Sequence, residues 1–147
     1  PAIWHQAGQN KDAATREAYA SANVEARVEP FIANMAEAYG WADLVICRAG
    51  ALTISELAAA GVGAILVPYP HAVDDHQTRN ALYLTEAGAA RLMLQTELTP
   101  EALANVLREL LGEGREGLVK MANAARQQAK PHATRQVAET CLEVMHG

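Results

Sequence analysis

One pattern limits the fold more than any other feature of this chain. Short runs that are apolar from end to end, LVIC at 44–47 and AILV at 64–67, alternate with segments of helical spacing. A run that is apolar throughout suits a strand buried on both faces, which is typical of a parallel sheet covered by helices. Other strands are expected at 3–6, 24–29 and 91–94. Helices are expected at 11–22, at 31–39, from the turn at 48–56 through Ala60 with Gly61 and Gly63 punctuating its end, and at 76–87, stopped by Gly88. Thr99 and Pro100 read as an N-cap followed by a first-position proline, with Leu103, Val106, Leu107 and Leu110 on one apolar face. Residues 117–129 and 134–145 are helical and separated at Pro131, the second with a stripe of Val137, Ala138, Cys141, Leu142 and Met145. Right-handed crossovers then give an α/β fold with a doubly wound parallel sheet. In such sheets ligands sit at the carboxyl ends of the strands.

The 147 residues match the size of one domain, and half of them are hydrophobic, enough for one core. The formal charge of -5 and the lack of a basic run argue against binding a nucleic-acid backbone. No run approaches the ~20 apolar residues of a membrane span. Two cysteines give no disulfide framework; Cys47, in an expected buried strand, reads as a reduced cytosolic thiol. The chain opens on PAIWHQAG, a strand already under way, which suggests a piece of a longer protein.

The strand at 43–47 runs into RAGALTISE, residues 48–56. One reading is a capping box, in which Thr53 caps a helix and Glu56, three residues on, reaches back. The other is a ligand seat. A helix start offers unpaired amides and a positive dipole end to a phosphate. Gly50 and Ala51 let an anion approach the backbone, and Thr53 adds a hydroxyl. Glu56 would repel a phosphate but could accept both hydroxyls of a ribose. Diphosphate and ribose adjoin in a nucleotide, so one ligand meets both demands.

HAVDDHQTRN, residues 71–80, follows the strand at 64–67. It has three readings: a metal site, unsupported by any cysteine; a solvated loop with Asp74 or Asp75 capping the next helix; or ligand recognition, where Gln77 suits sugar hydroxyls. In EPFIANM, residues 29–35, Phe31 and Ile32 read as core, or as a backbone edge able to read a flat base.

Together, IWHQAG, EPFIANMAEAYGWADLVICRAGALTISELAAAG, ILVPYPHAVDDHQTRNA and EAGAA resemble the carboxyl-terminal half of the MurG family across nearly the whole chain. These are bacterial transferases that move N-acetylglucosamine from UDP-N-acetylglucosamine to lipid I, making lipid II for peptidoglycan. The resemblance implies a Rossmann-like carboxyl-terminal domain of a GT-B glycosyltransferase over 1–147, with 134–147 a terminal crossover helix. It implies that Ile32 reads uracil through its backbone. Ala51, Leu52, Thr53, Ile54, Ser55 and Glu56 would hold diphosphate and ribose, with Arg48 beside the phosphates. His76 and Gln77 would lie at the N-acetylglucosamine. It implies no metal, no cofactor and no catalytic residue in this part. The acceptor site, general base and most membrane contact would belong to an amino-terminal domain, and the parent enzyme would sit on the cytoplasmic face of the inner membrane. The final apolar stripe would need a cover, and a homo-oligomer through the terminal helix is one. Two other readings stand beside this: a non-catalytic folding or assembly module, and the donor domain of a related GT-B enzyme with another acceptor.

Overall fold

The apolar runs become strands, and within each of two units every strand pairs in parallel with the next across a helical crossover. The computed structural model describes residues 1–70 and 76–146, and in the last helix not the side chains of Thr134, Val144, Met145 and His146. The chain divides into two compact units, Pro1–Trp41 and Ala42–Gly147.

In the first unit, β1 (Trp4–Gln6) pairs with β2 (Arg27–Glu29), with His5 opposite Val28. The crossover is α1 (Asp12–Ser21), which buries no residue, as its polar, alanine-rich sequence suggests. The unit ends in α2 (Met35–Trp41). This helix starts later than the expected 31–39, because Asn34 Oδ1 accepts the Glu37 N–H at 3.2 Å and sets the start there. Phe31 is therefore 67 % exposed and not core, whereas Ile32 is buried. The Trp4 indole donates to Glu29 Oε1 at 2.9 Å, stacks edge-on with Trp41 at 5.8 Å, and carries the Arg27 guanidinium 3.8 Å above it.

The second unit holds a three-stranded sheet, β3 (Leu44–Cys47), β4 (Gly63–Leu66) and β5 (Ala90–Leu92), with β4 in the centre. Cys47 lies opposite Leu66, and Leu66 opposite Leu92. Every residue of β4 is buried, so both its faces are covered. On one face Ile65, Val67 and Met93 meet Leu110 of α5 (Pro100–Gly112) and Met121 of α6 (Gly114–Gln127). The crossovers α3 (Ala51–Ala60) and α4 (His76–Glu86) bury Ile54, Leu57 and Ala58, and Ala81 and Leu84. β3 differs from expectation: it is half-buried, with Ile46 47 % exposed, because it is an edge strand of this sheet. The last helix, α7 (Ala133–His146), leaves Val137 and Leu142 exposed.

Two glycines seat α6 against β4 and the end of α3. A Cβ on Gly63 would lie 2.9 Å from Met121 Cβ. Gly61, at φ +69°, ends α3 in the left-handed region, and a Cβ there would lie 2.9 Å from Arg126 Nε. In that space the Arg126 guanidinium donates to the Ala59 carbonyl at 2.6 Å and the Ala60 carbonyl at 3.2 Å, closing the negative end of α3.

Candidate functional site

The site grows from the turn between β3 and α3. Gly50 is the N-cap, at φ -63° and ψ 146°, and provides no side-chain cap. The first helical bond runs from the Ile54 N–H to the Gly50 carbonyl at 3.0 Å. The amides of Ala51, Leu52 and Thr53 therefore have no carbonyl within the helix to receive them. This geometry removes the capping-box reading, which needs Thr53 itself at the N-cap; Thr53 lies three residues inside. Its Oγ1 instead sits over the helix start, 3.6 Å from where a Gly50 Cβ would be. Gly50 has an ordinary extended backbone, so the turn does not require glycine for its φ. What glycine provides is bare backbone at the mouth of the helix.

The expected residues divide by what they present. Ala51 and Leu52 are exposed, Leu52 by 73 %, so their amides are approachable. Ile54 is buried and its amide is already bonded, so it anchors the helix. Ser55 is exposed but donates its hydroxyl back to the Ala51 carbonyl at 3.1 Å. Glu56 is half-buried on the next turn of α3.

Arg48, at the end of β3, donates from Nη1 to the carbonyls of Val67 at 3.2 Å and Pro68 at 3.4 Å, with Cζ 5.4 Å from the Tyr69 ring centre. These contacts place a cation across the carboxyl ends of β3 and β4. Neither a carbonyl nor a ring face neutralises it. His76 is the exposed first residue of α4. Gln77 accepts the Tyr69 N–H on Oε1 at 2.9 Å, which leaves its amide nitrogen as the group to offer. Asp74, Asp75 and the rest of 71–75 lie outside the described residues, and with them the cap and metal readings of that loop.

Ile32 belongs to the first unit, where its N–H is donated to Gln6 Oε1 at 2.8 Å. Cys47, one residue before Arg48, has its thiol pushed up to about 11 by burial, so it is neutral at ordinary pH. One contact had no place in the sequence reading. Asn80 Nδ2 donates to the Ala49 carbonyl at 3.1 Å, tying α4 to the turn before α3. Its signal was the spacing of Gln77 and Asn80, which puts both on one face of a helix.

Comparison with known proteins gives concordant matches. The model of the glycosyltransferase family 28 C-terminal domain matches residues 2–137. A UDP-N-acetylglucosamine–N-acetylmuramyl-(pentapeptide) pyrophosphoryl-undecaprenol N-acetylglucosamine transferase of Marinobacter nauticus is 58 % identical over all of this chain and 40 % of its own length. The protein of that name from Pseudomonas fluorescens is 60 % identical over 41 % of its length. The crystal structure of Acinetobacter baumannii MurG superposes with a TM-score of 0.91 at 49 % identity, covering 97 % of this chain and 43 % of that one. The chain thus spans about two fifths of the length of the relatives it matches.

Proposed function

Because this chain belongs to the glycosyltransferase family 28 C-terminal domains, we propose that it is the donor-binding part of a transferase moving N-acetylglucosamine from UDP-N-acetylglucosamine to lipid I. The product is lipid II, a peptidoglycan precursor, and the whole reaction is proposed for a protein of the relatives' full length. The observation that carries this reading is the start of α3, with three amides left without a helical acceptor at the carboxyl end of β3 and no side-chain hydrogen bond at the cap.

The chemistry follows from what those groups can do. An acceptor hydroxyl attacks the anomeric carbon, inverting it. The carbon–oxygen bond to UDP breaks, and its electron pair moves onto the diphosphate. The amides of Ala51–Thr53, the Thr53 hydroxyl and the Arg48 cation are aimed to stabilise that growing charge. Glu56 accepts from the ribose hydroxyls, and Gln77, with His76 beside it, meets the sugar. The base that takes the acceptor proton lies outside these residues in this proposal. So do the acceptor site and the membrane contact; among the described residues no helix is long and apolar enough to cross a membrane. For Ile32 we carry forward only main-chain recognition of uracil, as the resemblance implies.

The test is titration of the chain with UDP-N-acetylglucosamine and UDP-glucose, followed by amide shifts. Binding should move the resonances of Ala51–Thr53 and favour the N-acetylated sugar. Glu56→Ala should weaken both ligands with unchanged far-UV circular dichroism. Saturable binding that leaves those three amides unmoved would refute the site.

A further inference from the structure

We propose that Asn80 is a positioning residue that sets the direction of the Ala51, Leu52 and Thr53 amides by holding the Ala49 carbonyl. The proposal rests on the donor-site reading above. Gly50 cannot hold the turn itself: it has no side chain, and its φ and ψ are freely available to any residue. A helix start usually gains its geometry from a side-chain cap. Here that role passes to a neighbouring helix.

The geometry is specific. Ala49 is fully buried, so with Asn80 in place its carbonyl is shielded from bulk water. That carbonyl belongs to the planar peptide linking Ala49 to Gly50, so fixing it fixes the plane from which the N-cap departs. Asn80 Nδ2 supplies the bond at 3.1 Å. The helix bearing Asn80 is itself fixed, with Ala81 and Leu84 fully buried. One turn earlier, Gln77 fastens the Tyr69 amide at 2.9 Å. The same face of α4 therefore governs two of the loops at the strand ends, and Arg48 bridges β3 to the end of β4.

A brace of this kind acts on the phosphates, because those are what the amides face. It predicts a split between ligands that contain a diphosphate and those that do not. Asn80→Ala removes the donor, and Asn80→Leu removes it while keeping the volume and adding no charge. Each should weaken UDP by about ten-fold, the scale of one lost buried hydrogen bond. Uridine affinity should stay within about two-fold, since uridine has no phosphate to lose. In the ligand-free chain the resonances of Ala51–Thr53 should move in both variants.

Unchanged UDP affinity with unmoved amides would overturn the proposal. So would equal weakening of UDP and uridine together with a lower melting midpoint, which marks general loosening. If the unsubstituted chain binds no UDP but the three amides still move in both variants, the donor-site reading fails and the brace stands. If neither occurs, both fall.

Discussion

At the scale of single residues, Cys47 shows how place overrides type. Cys141 is exposed on α7, while Cys47 sits at the end of β3 with its thiol pushed up to about 11 by burial. Thiolate is the reactive form, so iodoacetamide at pH 8 should alkylate Cys141 at least about ten-fold faster than Cys47. Equal rates, read by mass spectrometry, would contradict the burial. The same group should also colour the pH dependence of stability. Below pH 9 both folded and unfolded chains keep this thiol protonated. Between 9 and about 11 only the unfolded thiol ionises, so stability falls across that window. The sequence made Thr53 and Glu56 visible as a cap or a ligand seat but could not choose between them. The cap reading turned on where the helix begins, and helix starts blur by one or two residues in any sequence pattern.

At the scale of elements, strand–helix order and parallel pairing were legible because they follow from local periodicity. Boundaries were less so: α2 begins after Asn34, and β3 is exposed at Ile46, since edge position depends on partners that a local pattern does not name. Gly61, after the helix expected to run through Ala60, was legible as punctuation of its end, but its second duty was not. That duty depends on Arg126, which comes from a helix distant in the chain. Gly61→Ala should therefore do two things. It places a Cβ residue in the left-handed region, at a cost of about 1–2 kcal/mol, and displaces a guanidinium that closes α3. The melting midpoint should fall by several degrees, roughly 4–8 °C per kcal/mol at the small-domain end and less for larger ones. A midpoint within one degree of the parent, about the size of a neutral surface change, would mean that α6 does not depend on that gap.

At the scale of the whole molecule, the chain carries two units and about two fifths of the length of its relatives. Its proposed share of the chemistry is to hold a donor and receive a leaving group. A mixture of the chain, UDP-N-acetylglucosamine and a lipid I analogue should accordingly release no UDP above the enzyme-free rate. Turnover would show that a base lies within these residues after all. Val137 and Leu142 on α7 are exposed, and an association state that changes with concentration in ultracentrifugation and is abolished by Leu142→Ser would identify a second copy as their cover.

The bare cap at Gly50 sets a conflict between durability and reception. An engineer seeking a hardier protein would install aspartate there, because a carboxylate at that point strengthens most helices. The same carboxylate would occupy the seat proposed for a phosphate, with the same sign of charge. Consensus-style stabilisation of this turn would therefore work against its proposed use, and under that proposal the weak start of α3 is a feature to protect.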